Sequence, residues 1–464
     1  MLLRFFRIND PYRLLGILIV LIIISLPLFI DPVRITLDEL KMFVLGETLN
    51  LGKSLYAEVL TSTPPIAAWI SGWVEMLFGR SQIARQVLSL IIIFFQLSFF
   101  TIILINSRAH HENTYLPGLI FGALALFSFD MLSLPHELFA STMLLFALNN
   151  LFKEIEFRVQ RDETVLNIGV YLGIASLLVF SYSLFLPGVI LILAIFARLS
   201  MRKALLLIFG FILPHSLLIL RYYMKGSYSS LIENFYLENI HGSVNNTMTF
   251  SSVLVLSAVP ALFLLVSLFM LNREARLTKY QSQLSQIMFL WILLAFAQVA
   301  ISGSVKPYQL INFLPPLSYF ISHYMLLIRR KKLAEFTLWF FILSIASLMY
   351  LAKYNKITSV NYTNLFPTKS LHNQITNKRV LILGSDWGLF ETNKMASGFY
   401  DWKLTRPVFT ELDYFDNVVL IDKEFSNNAP EIIVDEEDMM KDVFKRIPRL
   451  SAEYHHEGNR YIKK

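Results

Sequence analysis

The 464-residue chain contains no cysteine, which excludes a disulfide framework and any thiolate metal site. Charge is scarce too: Asp, Glu, Lys and Arg make up 16% of residues, against about 25% in a soluble domain. No G-x-G-x-x-G follows a strand. Gly384-Ser-Asp-Trp-Gly388 departs from that pattern and reads as a strand-to-helix turn, so no dinucleotide site is expected. No internal repeat is visible, and polar residues gather at the ends of the apolar runs. Both absences speak against a secondary transporter, which would show paired half-repeats and interrupted midplane helices.

Hydrophobic residues are plentiful, 55% of the chain, with 39 Phe. They fall in runs long enough to cross a hydrocarbon core of roughly 30 Å as helices. Eleven spans are expected: 14–30, 82–106, 115–132, 136–153, 165–183, 184–199, 204–224, 251–271, 286–302, 308–328 and 333–351. Asp31-Pro32-Val33-Arg34 after the first run offers no small-residue cleavage site, so that run reads as a retained helix.

The net charge of +7 reports topology rather than a nucleic-acid partner. Residues 353–464 hold 16 basic and 16 acidic side chains, so the excess belongs to the membrane part. There the basic residues cluster in alternate short loops: Arg4, Arg7 and Arg13; Arg108; Lys153, Arg158 and Arg161; Arg198, Arg202 and Lys203; Arg273, Arg276 and Lys279; and Arg329 to Lys332. By the positive-inside rule these loops are cytoplasmic. The N-terminus is then cytoplasmic, and the first loop (31–81), the loop at 225–250 and the tail lie outside. The expected fold is mainly α and polytopic, with a small extracytoplasmic α/β domain at 353–464 after a membrane module at 1–352. Its strands are expected at 379–384, 418–422 and 431–435.

The first loop is too long for a tether and carries six carboxylates, Asp31, Asp38, Glu39, Glu47, Glu58 and Glu75. Ile66, Trp69, Ile70, Trp73, Val74 and Leu77 form an apolar stripe at helical spacing. Pro64-Pro65 open that helix and Gly79 ends it. With two Trp on the stripe, the helix is expected to lie along the membrane surface. A weaker pattern, Leu37, Leu40 and Val44, sets Asp38 and Lys41 on another face.

Four stretches of this loop carry a resemblance: Leu37-Asp38-Glu39-Leu40; Tyr56-Ala57-Glu58; Thr63-Pro64-Pro65-Ile66-Ala67-Ala68-Trp69; and Phe78-Gly79-Arg80-Ser81 with Ala84-Arg85. In order and character they resemble the first outer loop of the GT-C glycosyltransferases, in the branch of the protein mannosyltransferases and aminoarabinose transferases. Leu134-Pro135-His136-Glu137 and Lys306-Pro307-Tyr308-Gln309 resemble the second outer loop and late transmembrane motif of that family. Thr61, Ser62 and Thr63 stand where family members carry a Lys or Arg before the Pro-Pro pair.

The resemblance implies a polyprenyl-phosphate-linked sugar donor and a lipid, glycan or protein acceptor on the extracytoplasmic face of a bacterial inner membrane. The sugar is passed with inversion at the anomeric carbon. Such a reaction needs a carboxylate to take the acceptor's proton and a positive charge to stabilise the leaving phosphate. Asp38 is the expected base, against a plain capping acid, and Glu39 its neighbour. Tyr56, Glu58, His136, Glu137, Lys306 and Tyr308 are the expected substrate contacts, with Lys306 on the phosphate. Carboxylates also suit a divalent cation, so Glu58 with His136 is a candidate metal pair. The competing readings are an O-antigen ligase or polysaccharide polymerase, whose main outer loop comes late, and a non-catalytic scaffold that kept the fold.

Overall fold

The computed structural model describes residues 2–156, 161–197, 199–242, 248–302, 305–368 and 375–464. The basic residues Arg158 and Arg198 lie outside them. The chain forms two units. One comprises Met1–Arg34, Gln82–Leu218 and Val244–Thr363; the other comprises Ile35–Ser81, Ile219–Ser243 and Asn364–Lys464.

The first unit is helical. Among the described residues, six helices are long and apolar enough to cross a membrane: Arg13–Ile30, Gln82–Asn106, Met201–Met224, Phe250–Glu274, Lys279–Ile301 and Lys331–Lys353. The chain is an integral membrane protein. Eleven spans were expected, a count that these six do not confirm, and two of the other expected spans are interrupted locally. The expected span 115–132 breaks into the helix Leu116–Ala125 and a 3-10 turn at Phe129–Ser133, after which Leu134 takes a left-handed φ of 59°. The span 308–328 likewise begins as a 3-10 turn, Pro307–Phe313, before the helix Leu314–Leu327. Proline lacks the N–H that would extend a helix upstream, so Pro135, Pro307 and Pro315 mark where regular helix can begin.

The second unit joins the first loop to the tail. Among the described residues, five tail strands, β1 (Arg379–Leu383), β2 (Lys394–Met395), β3 (Ile432–Asp435), β4 (Tyr454–Glu457) and β5 (Arg460–Lys463), form one sheet in the order β2-β1-β3-β5-β4. β1 pairs in parallel with β2 and β3, while β5 is antiparallel to β3 and β4. The expected strand at 418–422 is instead part of the helix Phe415–Asn427. Its apolar run is only a few residues long. Ile421 and Phe425, four apart, face the core while Val419 is exposed, which is helical and not alternating burial.

Leu60 of the first loop is buried in the tail's own core with Phe399, Val408 and Phe409. The backbone beside it pairs like an added strand: Leu60 N–H donates to Gly398 O at 2.9 Å and Asp401 N–H to Leu60 O at 3.0 Å. A Cβ on Gly398 would stand 1.7 Å from Glu58 O, so only glycine permits this approach.

Candidate functional site

The helix Leu37–Asn50 starts at Thr36, whose hydroxyl accepts from Glu39 N–H at 3.3 Å. Asp38 and Glu39 occupy its first turn, where the helix dipole favours negative charge. Asp38 is half-buried and Glu39 is enclosed. The helix packs on Pro65–Phe78 at very short range. A Cβ on Gly46 would come within 2.6 Å of Ser71 O and 2.7 Å of Glu75 Cβ.

The second helix buries Ala67, Ala68, Ser71, Gly72, Val74 and Glu75, of which Ser71, Gly72 and Glu75 stand against the first helix. Its large apolar side chains Trp73, Met76, Leu77 and Phe78 are left exposed. The expected helix, its Pro start and its Gly79 end are all present. Of the expected stripe, Val74 alone is buried in the protein. Arg221 lies over the Trp69 ring with its guanidinium 4.5 Å from the centroid.

Three ionic ties hold this loop within its unit. Arg80 makes a two-pronged pair with Glu47, at 2.7 Å on both sides, and donates to Phe390 O and Asn393 O at 2.6 and 3.0 Å. Lys53 pairs with Glu424 at 2.5 Å with both side chains enclosed, and Glu424 also accepts from Gly398 N–H at 2.8 Å. Glu58 accepts from Ser54 N–H at 2.8 Å and pairs with Lys423 at 3.2 Å. The Ser54 N–H, with Lys423 adding to it, holds the Glu58 carboxyl below the usual range.

Tyr56 is fully enclosed, in a left-handed conformation of φ 69° that a bulky residue rarely adopts. Its hydroxyl donates to Thr63 O at 2.7 Å, its N–H to Val59 O at 3.0 Å, and its carbonyl accepts from Asn234 at 2.9 Å. These bonds fix the turn that delivers Pro64. Thr61 and Thr63, at the positions without a cation, bond to each other at 2.8 Å.

The Asp38 turn continues into the tail through Tyr400, whose hydroxyl donates to Lys41 O at 2.9 Å. Burial pushes the Tyr400 phenol well above its usual pKa, with the Asp401 and Asp38 carboxylates adding to the effect. The Lys41 ammonium stands 5.2 Å from the Trp387 ring centroid.

In the first unit, His136 and Glu137 open the helix His136–Ile155 and are half-buried. Lys306 precedes the 3-10 turn Pro307–Phe313, with its ammonium 5.6 Å from the Tyr308 ring centroid. Tyr308 is buried, and its N–H donates to Asp130 at 3.2 Å. The sequence reading did not single out Asp130, which is 2% exposed. An ionisable residue inside an apolar run was the available signal. Nearby in the fold, the buried Gln298 donates to Ser181 at 3.0 Å and accepts from Asn312 at 3.2 Å. His323 packs against the rings of His110 and Tyr319 at 4.1 and 4.7 Å between centroids, a buried aromatic cluster.

The expected residues thus divide between the units: Asp38, Glu39, Tyr56 and Glu58 with the tail, and His136, Glu137, Lys306 and Tyr308 with the helices. Among the described residues, no three His, Asp or Glu side chains gather as a metal site, so no chemical step is derived through a metal.

No family model matches the sequence, and no curated protein matches it. Solved structures do match. ArnT from Cupriavidus metallidurans, an aminoarabinose transferase bound to undecaprenyl phosphate, superposes with a TM-score of 0.57 over 97% of this chain and 96% of its own, at 12% identity. The apo oligosaccharyltransferase of Archaeoglobus fulgidus gives 0.47 over 91% of this chain and 69% of its own, at 9% identity. Over nearly its whole length the chain has the GT-C fold of the aminoarabinose transferase.

Proposed function

We propose that the protein is a membrane glycosyltransferase that moves a sugar from a polyprenyl-phosphate-linked donor to an acceptor on the extracytoplasmic face. The observation that carries this reading is the near end-to-end fold match to a transferase bound to undecaprenyl phosphate. The placement of Asp38 adds to it: a half-buried carboxylate in the first turn of a helix anchored on both sides.

The acceptor hydroxyl attacks the anomeric carbon from the face opposite the phosphate. The new C–O bond forms as the bond to the phosphate oxygen breaks, so the configuration inverts. Asp38 takes the hydroxyl proton as general base, and the phosphate leaves with its electron pair on the lipid. Glu39, enclosed beside it, is a positioning residue. The departing phosphate also needs a positive charge; within the helical unit Lys306 is the candidate for it, and Tyr308, His136 and Glu137 are that unit's candidate substrate contacts. Tyr56 and Glu58 act through the loop: one holds the Pro64 turn, the other ties it to the tail.

Asp38→Asn keeps the shape and removes the base. Transfer from a polyprenyl-phosphate-linked sugar in proteoliposomes falls by about 10²-fold or more, while the melting profile stays that of the parent. Full transfer by the variant would overturn the assignment.

A further inference from the structure

The longest run of cations in the chain lies away from the candidate site. Arg329, Arg330, Lys331 and Lys332 follow one another where the helix Leu314–Leu327 gives way to the spanning helix Lys331–Lys353. All four side chains are exposed, and among the described residues none of them is in an ion pair. No acidic residue stands in the first turn of the spanning helix. Lys306 precedes Pro307–Phe313 at one end of this stretch, and Arg329 follows Leu327 at the other. The run is therefore remote from the candidate phosphate cation.

The fold adds a fifth cation. Glu335, the nearest acid along the helix, accepts from Leu2 N–H and from Leu3 N–H at 3.0 Å. These bonds tie the short helix Leu2–Phe6 to the beginning of Lys331–Lys353. Leu3 and Phe6 are buried, which leaves Arg4 and Phe5 exposed at the same end of the unit.

Beyond the cations, the same helix turns an apolar stripe outward. Leu333, Phe336, Phe340 and Leu343 are each more than half exposed, at spacings that keep them on one face. Phe336 and Phe340 stack with centroids 6.2 Å apart, and Phe340 meets Phe263 of the helix Phe250–Glu274 at 6.3 Å. From Leu333 to Leu343 the stripe runs about 15 Å, half of a hydrocarbon core roughly 30 Å thick. A cationic head over an apolar lane one leaflet long fits one amphiphile, with its phosphate at the cations and an acyl chain along the rings.

Apolar side chains on a spanning helix meet the acyl chains of any lipid, so the cations select among headgroups. A zwitterionic lipid brings its own ammonium, which competes for the phosphate and repels the five cations. An anionic lipid offers a phosphate without that compensation.

We infer that this end of the helical unit binds an anionic phospholipid, its phosphate among Arg329, Arg330, Lys331 and Lys332 and one acyl chain along Leu333, Phe336 and Phe340. The inference is independent of the transferase reading, since none of these residues belongs to the candidate site.

The test places the full-length protein in nanodiscs holding equal parts of phosphatidylglycerol and phosphatidylethanolamine. Native mass spectrometry counts the lipids that stay on the protein when it is ejected. The parent is expected to retain phosphatidylglycerol over phosphatidylethanolamine by about fivefold or more. Arg329→Gln/Arg330→Gln lowers that preference about fivefold or more, while Lys331 and Lys332 remain to keep the helix inserted. Lys153→Gln/Arg161→Gln, an equal loss of exposed charge in another loop, leaves it within about twofold. Phe336→Ala/Phe340→Ala, at two exposed rings, reduces retention about threefold or more.

Equal retention of the two lipids by the parent would overturn the inference. So would a parent-like preference in Arg329→Gln/Arg330→Gln, or an equal loss in Lys153→Gln/Arg161→Gln, which would make the effect one of general charge. Parent-like retention in Phe336→Ala/Phe340→Ala, or displacement of the lipid by inorganic phosphate alone, would remove the acyl lane and the inference with it.

Discussion

Removing the charge of Glu424 should loosen the second unit more than any other single-atom exchange in the first loop's anchorage. Glu424 is 2% exposed and its partner Lys53 is 7% exposed, at 2.5 Å from each other. Glu424→Gln keeps a carbonyl oxygen for the Gly398 N–H but leaves the Lys53 ammonium enclosed without a counter-charge. Breaking a buried pair from one side costs about 3–5 kcal/mol, because the surviving charge has lost its water and gained nothing. For a unit of about 150–250 residues, each kcal/mol lowers the melting midpoint by about 2–4 °C, so the expected fall is about 6–20 °C. Trp69, Trp73, Trp387 and Trp402 all belong to this unit, so tryptophan emission in a thermal scan reports on it directly. The double variant Lys53→Met/Glu424→Gln removes both charges and should melt above either single variant. The reasoning fails if Glu424→Gln melts within about 1 °C of the parent, or if the double variant melts below both singles.

Two further substitutions probe the same unit. Asp401 caps the helix Trp402–Thr410 by accepting from Lys403 N–H at 3.1 Å, and burial, ahead of any other cause, raises its carboxyl pKa. A raised carboxyl favours the folded state at low pH and loses that advantage as pH climbs from the unfolded to the folded value. Asp401→Asn can still cap, so its melting midpoint relative to the parent should rise as pH climbs above about 4; a pH-independent difference would contradict this. Gly46→Val drives side-chain atoms toward the Ser71 carbonyl, which is backbone and cannot rotate away, and should cost about 1–3 kcal/mol. Faster proteolytic cleavage within residues 35–81 would register it, and a parent-like digestion pattern would argue against helix contact at Gly46.

Much of the fold could be read along the chain. The Pro65–Phe78 helix follows from Pro64-Pro65, a 3.6-residue apolar period and Gly79, all local signals. β1 and β3 were legible as short apolar runs bounded by turn residues. The 418–422 run was misread for the same reason: a few apolar residues fit strand or helix, and only burial of Ile421 with Phe425 separates the two. The eleven-span expectation counted apolar length. It could not register that the backbone turns at Phe129–Ser133 and Pro307–Phe313, where buried polar groups such as Asp130 and Gln309 sit.

The sequence by itself determined that the chain is a membrane protein, where the Pro65–Phe78 helix begins and ends, and which acidic turn, Asp38-Glu39, merits attention. Those features depend on hydrophobicity, periodicity and capping, which act over a few residues. Only the tertiary structure decided that the first loop belongs with the tail. Lys53 and Glu424 are 371 residues apart, and no local pattern announces that they meet. It also decided that Tyr56 spends its hydroxyl on the Thr63 carbonyl, and that Trp387 of the tail meets Lys41, one helical turn from Asp38. Such pairings are selected by packing and by the cost of leaving a buried charge alone, which act through space and not along the chain.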